Sequence, residues 1–81
     1  MRVRYFAGAR AAAGVPDEEF DLSSDSTVAD VLALVGERHG NRLDRVLAAS
    51  SFLLDGVAVR DRSTRVHARA ELDVLPPFAG G

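Results

Sequence analysis

The chain of 81 residues contains no cysteine. It therefore has no disulfide framework, no thiolate zinc site and no cysteine nucleophile, and any sulfur chemistry it performs must use imported sulfur. Lysine is missing too: all ten basic residues are arginine, which leaves the α-amine as the only primary amine. There is no long apolar run. None approaches the roughly 18 consecutive apolar residues of a membrane span, and the opening Met1-Arg2-Val3-Arg4-Tyr5-Phe6 alternates arginine with apolar residues instead of building a secretory signal. A cytoplasmic setting with no membrane partner is expected. Positive charge is not in excess either, since ten basic against twelve acidic side chains give a net charge of −2, which argues against a nucleic-acid partner. The length has room for one core and no second domain. Within it, 47% hydrophobic and 27% charged residues make an ordinary globular composition.

The hydrophobic pattern places the elements. Val3 and Tyr5 fall on one face and Arg2 and Arg4 on the other, the period of a half-buried strand. The Ala-rich stretch from Gly8 to Pro16 reads as a short helical turn or loop ended by its proline. The acidic run Asp17-Glu18-Glu19 leads to Phe20 and Leu22, which alternate with Asp21 and predict a second strand paired with the first; the acidic residues before it read as solvated. Thr27 stands three residues before Asp30, the spacing of a capping box, so a main helix begins there. Val28, Val31, Leu32 and Val35 form its apolar stripe, Arg38 and His39 suit its negative end, and Gly40 stops it. Leu43, Val46 and Leu47 suggest a second helical turn within residues 42–49. Phe52-Leu53-Leu54 and Val57-Ala58-Val59 flank Asp55-Gly56, the dipeptide that favours a tight hairpin turn. Residues 60–69 read as a basic loop, and Glu71 to Leu75 as a final strand stopped by Pro76-Pro77. The order strand, strand, helix, hairpin, strand predicts an α+β domain, a mixed sheet of about five strands covered by one main helix.

The last residues carry the chemistry. Two consecutive prolines prevent both strand continuation and helix, so the tail after Leu75 should project, with a reach of roughly 20 Å when extended. Gly80 and Gly81 have no Cβ, and their backbone can pass a channel too narrow for side chains and carry a carboxylate to buried groups. Phe78 has two readings, an anchor that seats the tail or a side chain folded back into the core. His39 and His67 have no partners at metal-ligand spacing, so no metal site is expected, and no setting for a catalytic serine is present.

Leu75-Pro76-Pro77-Phe78-Ala79-Gly80-Gly81 resembles the carboxy terminus of MoaD-type proteins, the small subunit of molybdopterin synthase. Val3-Arg4-Tyr5-Phe6-Ala7 and Ser26-Thr27-Val28-Ala29-Asp30-Val31-Leu32 also sit where that family has its first strand and main helix, so the resemblance covers most of the chain. It implies a ubiquitin-like β-grasp domain over residues 1–75 and an extended tail over 76–81. It further implies that a ubiquitin-activating-type adenylyltransferase uses ATP to join AMP to the Gly81 carboxylate, and that sulfur from a donor protein replaces AMP. The resulting thiocarboxylate is a soft anionic nucleophile. By the same resemblance the tail, with Pro76, Pro77, Phe78, Ala79 and Gly80 as partner-binding residues, enters the large subunit of molybdopterin synthase. There it gives sulfur to cyclic pyranopterin monophosphate on the way to the molybdenum cofactor. The chain would then bind no cofactor and be no enzyme on its own, but the sulfur-donating subunit of a transferase. Three alternatives stay open: a carrier for thiamine thiazole or cysteine synthesis, a ubiquitin-like modifier of proteins, and an adaptor domain with an idle tail.

Overall fold

The computed structural model describes residues 1–77, and Phe78, Ala79, Gly80 and Gly81 lie outside the described residues. Strand β1 (Arg2–Tyr5) leads through helix α1 (Ala7–Ala13) to β2 (Asp17–Glu19). Helices α2 (Val28–His39) and α3 (Asn41–Ala49) follow, then the hairpin β3 (Ser51–Leu54) and β4 (Val57–Ala58), then β5 (Glu71–Leu75). The strands form one sheet in the order β2-β1-β5-β3-β4. β5 runs parallel to β1 and antiparallel to β3, so the sheet is mixed and the strand that leads into the tail is its central one.

One core joins the sheet to the helices. Val3, Tyr5, Phe52, Leu72 and Val74 line one sheet face, and against them pack Val28, Val31, Leu32 and Val35 of α2, Leu43 and Leu47 of α3, and Ala9 of α1. The expected stripe of α2 is thus wholly buried. Its start is the expected capping box: Asp30 N–H donates to Thr27 Oγ1 at 3.3 Å, and Thr27 N–H donates to Asp30 Oδ2 at 2.9 Å. The loop over residues 60–69 adds to that start, because Val28 N–H and Ala29 N–H donate to the carbonyls of Thr64 and Arg62. A solvated crossover thereby satisfies two donors that a helix leaves open.

Three features differ from the sequence expectation. The second strand is Asp17–Glu19 rather than the Phe20 to Leu22 stretch, although the ladder runs on to Phe20, whose N–H donates to the Met1 carbonyl at 2.9 Å. The register explains the difference. Arg2 faces Glu19 and Arg4 faces Asp17 across the strands, so opposite charges meet on the outer face while Phe20 turns into the core. The Ala-rich segment is a helix of seven residues that ends at Gly14, and the weak turn after Gly40 is a helix of nine residues. The cover of the sheet is therefore three helices among the described residues, with α2 the longest. Gly36, which weakens α2 by propensity, lies where the Asp44 carboxylate of α3 comes over the helix backbone, and a Cβ there would run into it. The hairpin matches its sequence, with Asp55 at φ 49° and Gly56 at φ 83°, the left-handed pair a tight turn requires.

Candidate functional site

The candidate site is the root of the tail. Leu75 is the end of β5, held between β1 and β3 by ladders on both sides, with Leu75 opposite Ser51 and Phe6 N–H donating to the Val74 carbonyl at 3.3 Å. A central strand cannot swing, so Pro76 leaves the sheet from a fixed point. Of the residues expected to bind a partner, Pro76 is half-buried and Pro77 exposed; Phe78, Ala79, Gly80 and Gly81, the expected carrier residue, lie outside the described residues.

The root is flanked by two shallow apolar hollows that share Pro76. One, of about 230 Å³, is lined by Phe6, Ala7, Leu75 and Pro76. The other, of about 320 Å³, is lined by Gly8, Arg45, Val46, Ala49, Pro76 and Pro77. Ala7 sits at φ 47°, a left-handed conformation in a residue with a Cβ, as the chain turns from β1 into α1 beside the tail. Phe6 is 39% exposed, one of the few large apolar side chains in the described chain that face solvent. Sequence reasoning found the prolines but not the walls beside them. Only the spacing of Leu43, Val46 and Leu47 pointed toward α3, and nothing in it said that Arg45 and Ala49 would border Pro77.

Beneath the root, on the face away from the helices, a charged clamp ties β1 to β5. Arg4 Nε donates to Asp73 Oδ1 at 2.7 Å and Nη2 to Oδ2 at 2.9 Å, with Glu71 at 3.3 Å from the same guanidinium. Asp73 is only 7% exposed, and this two-pronged contact satisfies it. The sequence placed Arg4 on the polar side of its strand, but the pairing needs the parallel register of Arg4 with Asp73, which joins residues at opposite ends of the chain.

A second polar cluster lies at the far edge. Glu18 faces Val3 and so points toward the helices, contrary to the expectation that the acidic run is solvated. Its Oε2 accepts from Tyr5 Oη at 2.7 Å and from His39 Nε2 at 2.5 Å, and Arg38 Nη1 lies 3.9 Å from Oε1. Burial pushes the Glu18 carboxyl up, but the hydrogen bonds from His39 and Tyr5 and the charge of Arg38 outweigh it and hold the group below the usual range. Burial, then the bond to the charged Glu18, pushes the Tyr5 hydroxyl well above its ordinary value. His39, expected at the helix end as a simple dipole partner, thus fastens α2 to the edge strand. The cluster involves β2, two positions away from β5 in the sheet, and takes no part in the tail root. Among the described residues no three His, Asp or Glu side chains gather in a way that could hold a metal ion. In the same residues no helix is long and apolar enough to cross a membrane.

Residues 3–81 match the ThiS family, a span that takes in the root, the tail and nearly all of the sheet and helices. The chain belongs to the ThiS family. A relative in Chlamydomonas reinhardtii, called a molybdopterin synthase sulfur carrier subunit, is 32% identical over 82 residues, covering 100% of this chain and 98% of its own. Among solved structures, SAMP1 of Haloferax volcanii, a small archaeal modifier protein, superposes with a TM-score of 0.88 at 28% identity, covering 100% of this chain and 98% of that one. A complex of subunits 1 and 2 of the molybdopterin-converting factor from Helicobacter pylori contains a chain with a TM-score of 0.69 at 19% identity, covering 99% of this chain and 96% of that one, a likeness of fold. The resemblance to MoaD-type proteins drawn from the sequence is borne out, and so is the ubiquitin-like β-grasp fold.

Proposed function

We propose that this ThiS-family chain is the small, sulfur-carrying subunit of molybdopterin synthase, with residues 1–75 as its folded body, residues 76–81 as its working tail and Gly81 as its carboxy-terminal carrier residue. The observation that supports this reading most is the likeness, 32% identity along the whole chain, to the sulfur carrier subunit of Chlamydomonas reinhardtii. In the proposed cycle a Gly81 carboxylate oxygen attacks the α-phosphorus of ATP on an adenylyltransferase, and pyrophosphate leaves. A sulfide equivalent from a donor protein then attacks the acyl carbon, AMP leaves, and Gly81 carries a thiocarboxylate. That step explains how a protein without cysteine can present a soft sulfur nucleophile. The tail enters the large subunit, its sulfur attacks cyclic pyranopterin monophosphate, and water then cleaves the acyl–sulfur bond, so the sulfur stays on the pterin and the tail returns as carboxylate. Pro76 to Gly80 position it, and the acid and base groups belong to the large subunit. ATP is used by the activating enzyme, and the carrier needs no bound cofactor. The Helicobacter pylori complex of subunits 1 and 2 supports the pairing of a chain of this fold with a second subunit, and a cytoplasmic setting goes with the pathway.

A second reading is favoured by the likeness to SAMP1, whose name is that of a modifier. In it the activated Gly81 is passed to a lysine amine of a target protein. The two readings separate in reconstitution. Thiocarboxylated chain mixed with purified large subunit and cyclic pyranopterin monophosphate should yield molybdopterin, and the chain lacking Gly81 should yield none. Molybdopterin formation by the Gly81-deleted chain would contradict the carrier role. Covalent adducts with target proteins that survive reduction, without molybdopterin, would instead favour the modifier.

A further inference from the structure

We propose that the hollow on the helical side of the root, formed by Gly8, Arg45, Val46, Ala49, Pro76 and Pro77, is a docking site for the large subunit that receives the tail. Its occupant is an apolar side chain of that subunit flanked by a carboxylate. The inference rests on the carrier reading and names a contact within it. α3 spends Leu43 and Leu47 on the core, while Arg45, Val46 and Ala49 are turned toward the prolines. The floor of the hollow is apolar, and its one charge is Arg45, which is exposed. Among the described residues no carboxylate lies within ion-pair distance of Arg45, a lack it shares with every arginine except Arg2, Arg4 and Arg38, but Arg45 is the arginine that lines this hollow. A guanidinium on an apolar rim lays its stem along the floor and offers a planar fork to a carboxylate. The hollow is also continuous with the tail. Pro77 is part of its wall and Pro76 joins it to the second hollow at Phe6, so a protein that accepts the residues after Pro77 meets the chain beside it.

Calorimetric titration of the full chain into purified large subunit of molybdopterin synthase from the same organism tests the contact. Compared with the unaltered chain, Arg45→Glu should bind at least about tenfold more weakly at low salt, Arg45→Lys should lose much less, and the Arg45→Glu deficit should shrink as salt rises. Thermal unfolding of Arg45→Glu should be unchanged, since the residue is exposed. Equal affinity of the unaltered and Arg45→Glu chains overturns the docking site and leaves the carrier reading standing. No binding by the unaltered chain overturns the molybdopterin reading, and the docking site with it. If Phe78→Ala and Arg45→Glu both lower thermal stability while both bind normally, the hollow belongs to the chain's own Phe78, and docking there is overturned.

Discussion

Glu18 shows how a single residue can be misread when its neighbours are close in sequence and its partners are not. In the run Asp17-Glu18-Glu19 it looks like one of three solvated carboxylates, yet its hydrogen bonds come from Tyr5, in β1, and His39, at the end of α2. Pairing with Val3 turns it inward, and the two bonds then make the carboxylate the favoured form. The sign of its linkage follows. A carboxyl whose folded pKa lies below the unfolded value of 4.5 contributes stability that is fully present above that value and is lost as pH falls through the folded pKa. Glu18→Gln should therefore be less stable than the unaltered chain in urea at pH 7, and the gap should close as the pH drops below that value. A gap that stays constant from pH 7 to strongly acid solution would mean that the charge of Glu18 contributes nothing.

At the scale of elements, α2 was legible almost in full because its signals are local. The capping box, the stripe from Val28 to Val35 and the closing Gly40 all lie within fourteen residues, Thr27 to Gly40. Thr27→Ala removes one side-chain acceptor at the helix start and should cost about 1 kcal/mol by chemical denaturation, with Thr27→Ser restoring most of it. No loss on Thr27→Ala would mean that the carbonyls of Arg62 and Thr64 alone satisfy that end. The hairpin around Asp55-Gly56 was legible for the same reason, since its turn chemistry lies between its strands. The bounds of β2 were not. Its partner is fifteen residues away, and Asp17 and Glu19, which read as solvated residues ahead of the strand, are strand positions because Arg2 and Arg4 stand opposite. α1 was short and uniform in alanine, with no amphipathic stripe to announce a helix.

For the whole molecule, the order of the elements and the apolar-Pro-Pro tail sufficed to name a fold and a family, both borne out. The root could not be read in this way. Which strand lies at the centre, that Arg4 clamps Asp73 across sixty-nine positions, and that α1 and α3 wall the prolines are consequences of packing over the full chain. Together they anchor Pro76 at a fixed place on the sheet, and under the proposed function the chemistry at Gly81 is supplied by other proteins. Intact mass of the chain after incubation with ATP, its activating enzyme and a sulfide source, beside the Gly81-deleted chain, tests this most directly. A sulfur carrier gains the mass difference of one sulfur for one oxygen, and the deleted chain gains nothing. An unchanged mass with a demonstrably active activating enzyme would contradict a role in carrying sulfur.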